Sequence, residues 1–356
     1  MIKLKNKPLI GIITISLGWV EDSYHIYFEL EEELTELGVE LVVFTPYGID
    51  WMRDKIRGLV FKDGEWERGE TRLPDAVYNR LYGTNPKTIA RLVKELGTNH
   101  VYNHENRLDK SVVANLLARS KLKEYLPATY GYSWDNLKML LDNQSRVVLK
   151  PVYGHYGLDI FLIEQGENGW EVFVETLRSP RFRFDRLQGL RAWTEELNSQ
   201  TKSGYLVQRW IEPLKYNGRY FDLRLLLQRG GRGAWETTAV MSRITRLNYF
   251  VSNFVYKTVD GEELLRQVGL PTLPRKLGSI AYQAAELLER RLGHFAELSV
   301  DFLVDNKNQP WIIEINGKPR RDLFEDYADE ELLKKIYLRP IVYGRYLAAK
   351  KLKGQR

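Results

Sequence analysis

The sequence predicts a mixed α and β protein, with a small α/β unit in front and a larger α+β unit behind it. Three stretches carry that expectation. The opening alternates strand, helix and strand. Residues 146–163 (RVVLKPVYGHYGLDIFLI) read as strand, glycine-containing loop and strand. Residues 298–319 (LSVDFLVDNKNQPWIIEINGKP) read as two strands around a polar turn. A chain of 356 residues with 44% hydrophobic content is long enough to bury two or three packed cores.

Taken in order, the apolar run 8–17 is a strand, and the Glu- and Leu-rich stretch from Asp22 to Leu37 is a helix ended by Gly38. VELVVF (39–44) is the next strand, and β–α–β order implies a parallel sheet. KDGEW (62–66) is a tight Asp-Gly hairpin turn, and LPDAVYNRL (73–81) is a short strand ending near Asn79 and Arg80. A boundary falls near residue 107, where polar ENRLDK precedes the helical SVVANLLARS. YLVQRWIEP (205–213) is a strand whose end presents Gln208 and the backbone of Arg209 to Ile211. FDLRLLL (221–227) alternates, so Asp222 and Arg224 share a face; MSRITRLNYFVSN (241–253) adds Arg243 and Asn253. The C-terminal stretch 329–353 is helical, interrupted at Pro340, with lysines in its last turn. No internal repeat or low-complexity segment is present.

Composition narrows the classes. No apolar run approaches the ~20 residues of a membrane span, and the first apolar run reads as a buried strand rather than a signal peptide. The absence of cysteine excludes disulfides, thiol nucleophiles and zinc-thiolate sites, and points to a cytoplasmic protein. Five histidines, at positions 25, 100, 104, 155 and 294, show no zinc spacing. A net charge of +6, spread along the chain, favours anionic ligands; its densest run is RSPRFRFDRLQGLR (178–191), either a solvated loop or an anion-facing surface.

The late hairpin carries the most chemistry. If Asp305 pairs with Pro310, Asp301 lies across from Glu314, and Asn316 shares the face of Glu314. Facing carboxylates call for a cation between them, and an all-oxygen set suits Mg²⁺. A solvated hairpin face is the plainer alternative. Lys150 emerges where a strand ends, before a loop in which Gly154 and Gly157 flank His155 and Tyr156. Backbone N–H groups of such a loop can close over phosphates, although the stretch is no Walker A.

Together, Lys110 after an Arg-x-x-Lys helix start, Pro127-x-Thr129, Lys150, Gln208, Asp222-x-Arg224, Arg243, Asn253, Asp301 and Glu314-x-Asn316 resemble in order an ATP-grasp enzyme. PDAVYNR, the LPAT segment and EINGKP extend the resemblance to the YheC/YheD-type, endospore coat-associated family, related to the ribosomal-protein glutamate ligase branch. The resemblance implies an ATP-grasp fold, in which two α+β subdomains grip ATP, preceded by a small α/β domain. The division it implies is 1–107 and 108–356, the latter holding a loop-bearing subdomain (about 125–205), a metal-binding subdomain (about 206–345) and a C-terminal helix. It implies that Lys110, Lys150 and the loop Gly154, His155, Tyr156 and Gly157 meet phosphates, and that Gln208, Arg209, Trp210, Ile211, Glu212 and Asp222 bind the nucleotide. Asp301, Glu314 and Asn316 would hold Mg²⁺ or Mn²⁺, Arg224 and Arg243 would be catalytic, and Arg80, Asn253 and Lys318 would meet the substrate. His155 and Asp159 depart from the small hydroxyl residue and glycine that the family often carries there, and Phe254-Val255 replaces a glycine pair.

The implied function is an ATP-dependent carboxylate–amine ligase forming an amide through an acyl-phosphate. The alternatives are an ATP-grasp phosphotransferase and a nucleotide-binding spore-coat structural protein. The implied partners are ATP and a carboxylate or amine substrate such as an acidic peptide or protein, with no membrane and no nucleic acid. The implied setting is cytoplasmic, or coat-associated in a spore former.

Overall fold

The computed structural model describes residues 7–18, 25–83, 85–153 and 158–354. The first sheet contains β1 (Leu9–Ile13), β2 (Glu40–Phe44), β3 (Ile49–Asp50), β4 (Lys55–Lys62), β5 (Glu65–Arg72), β6 (Ala76–Asn79) and β7 (Val101–Tyr102), with helices α1 (Glu31–Leu37) and α2 (Pro86–Leu96). β1 runs parallel to both β2 and β6 and is buried throughout, because a strand covered on both faces has no side for polar residues. Asp63 and Gly64, at φ +53° and +93°, make the two-residue turn that sets Lys62 opposite Glu65. The helix expected over 22–37 is shorter than its pattern. Residues 25–28 form a 3₁₀ turn and α1 begins at Glu31, while residues 19–24 lie outside the described part. Buried Tyr27 pins that turn by donating its hydroxyl to the Tyr337 carbonyl at 2.9 Å.

Helix α3 (Lys110–Ala118) follows, its start fixed by Asp109, whose carboxylate accepts from the amides of Ser111 (2.7 Å) and Val112 (3.1 Å). The second sheet is built from β8 (Thr129–Gly131), β9 (Arg146–Pro151), β10 (Phe161–Gly166), β11 (Gly169–Val174), β12 (Phe182–Phe184) and β13 (Tyr205–Arg209), paired antiparallel. Helices α4 (Trp134–Asn143) and α5 (Leu187–Gln200) cover one face over Val147, Leu149 and Val207.

The third sheet contains β14 (Lys215–Tyr216), β15 (Arg219–Arg229), β16 (Trp235–Thr245), β17 (Val255–Asp260), β18 (Glu297–Val304) and β19 (Pro310–Asn316), in the spatial order β17-β16-β15-β18-β19 with β14 on β15. Leu223, Leu225, Leu227, Val300 and Phe302 point from one face into a core shared with α6 (Gly261–Gln267) and α7 (Leu273–Leu292). The opposite face carries Asp222, Arg224 and Asp301. Leu226, Ala239 and Met241 from this sheet join Tyr78 of the first sheet and Ile336 and Tyr337 of α8 (Glu330–Gly354) in a second core.

The interruption expected at Pro340 does not occur, since α8 is continuous through it. Proline lacks the N–H that would bond the carbonyl four residues back. Here Gln228 Nε2 donates to that carbonyl, on Ile336, at 2.8 Å, and Tyr27 serves the next one, on Tyr337. Tyr102 also donates to the Pro340 carbonyl at 2.8 Å. The one donor the proline removes is thus replaced by Gln228 of the third sheet, while Tyr27 and Tyr102 add bonds to the carbonyls beside it.

Candidate active site

The second and third sheets meet at a cleft, and strand alternation decides what each offers. Lys150 stands opposite Leu206, and Gln208 opposite both Val148 and Thr129, so Lys150, Gln208 and Thr129 share the cleft face while Val147, Leu149 and Val207 fill the core behind. Lys150 Nζ donates to Gln208 Oε1 at 3.1 Å, and Gln208 Nε2 donates to Thr129 Oγ1 at 2.7 Å. Burial lowers the Lys150 pKa to about 8; the neighbouring charge of Lys110 adds to this and Glu314 opposes it.

The hairpin reaches the expected pairing by an unexpected route. Val304, not Asp305, pairs with Pro310, and Leu303 and Phe302 face Trp311 and Ile312. A register shift at Ile313 then restores Asp301 opposite Glu314 and Ser299 opposite Asn316. The turn register assumed from the sequence is therefore off by one, and a bulge cancels the error. The carbonyl of the bulged Ile313 accepts from Lys150 Nζ at 3.4 Å, joining the two sheets at the cleft.

Each of the facing carboxylates already has a cation of its own from the chain, Asp301 from Arg224 and Arg243 and Glu314 from Lys110, so their repulsion alone does not require a metal. Asp301 accepts from Arg224 Nε (2.7 Å), Arg224 Nη2 (2.6 Å) and Arg243 Nη2 (3.1 Å). Arg243 also forks onto Asp222, its Nε 3.0 Å from Oδ1 and its Nη2 on Oδ2. All four side chains are buried, and two cations balance two anions. Burial alone would raise the Asp301 pKa, but the two guanidinium charges and their hydrogen bonds hold it below the ordinary carboxylate value. Asp222, expected at the nucleotide, is instead the partner of Arg243. Glu314 is more open, with Oε1 3.4 Å from Lys110 Nζ.

At the end of β13 the Trp210 amide N–H donates to the Arg146 carbonyl (3.3 Å) and is committed to protein; Ile211, next along, is buried. Arg209 is exposed, with its guanidinium 5.8 Å from the Trp311 ring centroid. Glu212 accepts from Trp210 Nε1 (2.9 Å), Tyr220 Oη (2.8 Å) and Arg146 Nη1 (3.2 Å). Partial burial works against its charge, but these donors outweigh burial and lower its pKa, so a ribose contact would compete with three protein donors.

Other expected residues lie elsewhere. Arg80 is buried rather than on the cleft wall, because its Nη1 donates to the buried Glu297 carboxylate at 2.8 Å. Asn253 is exposed in the turn before β17, and Lys318 is half-buried just past β19. Gly154, His155, Tyr156 and Gly157 lie outside the described residues. The basic run is divided: Arg183 pairs with Glu171 (3.0 Å) and Arg191 with Glu195 (2.8 Å), while Arg178, Arg181 and Arg186 are exposed with no acid partner among the described residues.

The cleft has two rooms. The larger, about 520 Å³, is lined by Lys110, Thr129, Lys150, Gln208, Trp311, Ile313 and Glu314. The smaller, about 160 Å³, shares Lys110 and Glu314 and adds Asn316, Asn106, Arg107 and Tyr153. Thr129 had a sequence signal in its Pro-x-Thr setting and Arg107 one as the arginine of the Arg-x-x-Lys helix start, though no role was read for it, whereas Tyr153 had none beyond its neighbours. Among the described residues, no group of three or more His, Cys, Asp or Glu is arranged to hold a metal ion. Glu314 and Asn316 at the shared end, with Asp301 behind, nonetheless fit Mg²⁺, which takes one or two protein carboxylates and draws its remaining ligands from water and phosphate.

Residues 98–347 match the family model described as YheC/D like ATP-grasp. The chain is 24% identical over 367 residues to the endospore coat-associated protein YheD of Bacillus subtilis (strain 168), covering 96% of this chain and 79% of that protein. It is 22% identical over 337 residues to YheC of the same organism, covering 90% and 91%. The ATP-grasp ligase PsnB, solved with minimal precursor, Mg and ADP, aligns at TM-score 0.52 and 14% identity over 94% of this chain and 98% of that one. Among the described residues no helix is long and apolar enough to cross a membrane.

Proposed function

The chain belongs to the YheC/D-like ATP-grasp family, and from that membership we propose that it is an ATP-dependent carboxylate–amine ligase. The observation that supports this most is the meeting of Lys110, Lys150, Gln208 and Glu314 around one cleft between two sheets. In this reading residues 1–107 form a leading unit, and the ATP-grasp domain, 108–356, closes its second and third sheets on the nucleotide.

The larger room takes the adenosine, with Gln208 and the Ile211 backbone toward the adenine edge and Lys110 and Lys150 toward the phosphates. Glu314 and Asn316, backed by Asp301, would hold Mg²⁺, which neutralises phosphate charge when bound. A substrate carboxylate oxygen attacks the γ-phosphorus, the bond to the β-phosphate oxygen breaks, and ADP leaves. An amine then attacks the acyl carbon, inorganic phosphate leaves and a proton is released. The chain's part is positioning and charge neutralisation, supplied by the lysines and by arginines held in place by Asp222 and Asp301. PsnB, whose complex holds Mg and ADP, supports the nucleotide assignment, and the names of both curated relatives support a spore-coat setting.

The test is ADP release from Mg-ATP against panels of carboxylates and amines, with mass spectrometry of the product. Release should require one of each, and the product should be their dehydrated sum. A stable phosphorylated acceptor would replace the ligase with a phosphotransferase.

Lys150 gives a second expected result. Lys150→Ala should weaken ATP binding by about 1–3 kcal/mol through loss of a charge-assisted contact. Because its pKa is about 8, the parent lysine loses its charge as pH rises through that value. ATP affinity should therefore fall from about pH 7 to about pH 9 in the parent and stay level in Lys150→Arg. Calorimetry at both pH values decides this, and parallel profiles would remove Lys150 from the phosphate site.

A further inference from the structure

We propose that Arg107 receives the carboxylate group of the acyl-donor substrate, in the smaller polar room beside the phosphate end of the cleft. The assignment rests on the ligase reading above and names the substrate-recognising group that reading lacks.

The room is about 160 Å³, enough for a carboxylate head and a few atoms beyond it and too small for a nucleoside. It shares Glu314 and Lys110 with the larger room, so a group seated there adjoins the place of phosphoryl transfer. Two cations line it, and Lys110 is already paired with Glu314. Among the described residues no carboxylate pairs with Arg107, and its guanidinium is 5.0 Å from the centroid of the Tyr153 ring. Stacking on a ring face orients the planar fork while leaving its N–H edge for a bidentate anion.

The support of that stack is built in. Tyr153 Oη donates to Asp109 Oδ2 at 2.7 Å, and the same carboxylate caps α3. On the other side, Asn106 is fully buried, accepting from the Gly83 amide at 2.9 Å and donating to the Asn79 carbonyl at 3.1 Å. Gly83, at φ +70°, lies so close that a Cβ there would come within 2.6 Å of Arg107 Cβ. Arg107 is therefore anchored through its buried neighbour Asn106 and packed at its Cβ against Gly83, while its side chain is exposed into the room. An anchored neighbour, a stacked side chain and no acid partner among the described residues together describe a cation preorganised for an external anion.

The competing assignment for such a cation is the γ-phosphate of ATP, and the test separates the two. Succinate serves as carboxylate probe in saturation-transfer NMR, on nucleotide-free protein and on the Mg-ADP complex. Calorimetry measures ATP and ADP binding to the same samples. The parent should show succinate binding that falls by about tenfold or more in Arg107→Ala and is partly restored in Arg107→Lys. Arg183→Ala, a change at an exposed arginine paired with Glu171, should match the parent. ATP and ADP affinities should be unchanged in Arg107→Ala. Equal succinate binding in the parent and Arg107→Ala, or none in the parent in either state, overturns the assignment. So does a loss of ATP affinity with ADP affinity kept, which would place Arg107 on the γ-phosphate. Failure of the parent to bind nucleotide would sink the ligase reading, and the nucleotide-free succinate comparison would still decide Arg107.

Discussion

Glu314→Gln should lose Mg²⁺-dependent ATP turnover by at least about a hundredfold while folding as stably as the parent. The two halves of that expectation have separate causes. A carboxamide keeps the size of the side chain but removes the anionic oxygen proposed to hold the metal, and changes even one layer further out commonly cost metal sites 10–100-fold. Stability should not follow, because among the described residues Glu314 forms an ion pair with Lys110 alone, both side chains are partly exposed, and such pairs contribute about 0–1 kcal/mol. The measurement is turnover against Mg²⁺ concentration, alongside a urea unfolding curve. Parent-level turnover at saturating ATP in a folded Glu314→Gln protein would remove Glu314 from the metal site.

Asp301→Asn should behave differently and unfold more readily, by about 3–5 kcal/mol. Its carboxylate holds Arg224 and Arg243 by three hydrogen bonds in a buried set that also includes Asp222. Without its charge, two buried guanidinium groups share one carboxylate, and an uncompensated buried charge is the costly case. The same linkage fixes the pH dependence. The folded-state pKa of Asp301 lies below its ordinary value, so its contribution is fully present above about pH 4 and fades as pH falls through the lowered value. Urea midpoints of parent and variant at neutral and acid pH test this. A variant with the parent's midpoint at neutral pH would mean that the arginines find another counter-charge, and the buried set would lose its structural role.

The contrast between these two carboxylates measures how far the sequence could be read. Both lie on one face of one hairpin; strand alternation puts Asn316 on the face of Glu314, but Asp301 comes opposite Glu314 only through the bulge at Ile313. Alternation carries no information about what covers a face. Nothing local to Asp301 marks it as the anchor of Arg224 and Arg243, whose strands lie 77 and 58 residues earlier. Arg80 was misread for the same reason: its partner Glu297 is 217 residues away.

What the sequence determined by itself is everything that depends on the local period of the chain: the buried parallel β1, the Asp-Gly turn, the strand end that delivers Lys150, and the shared face of Glu314 and Asn316. Tertiary structure alone decided the rest. The bulge at Ile313 that rescues the hairpin register appears only once β18 and β19 pair. The carbonyl that Pro340 leaves without its helical partner, on Ile336, is served by Gln228 from a distant strand. The reason is common to all of these: a side chain's direction follows from backbone geometry within a few residues, whereas its charge partner, burial and hydrogen bonds depend on which distant segments pack against it.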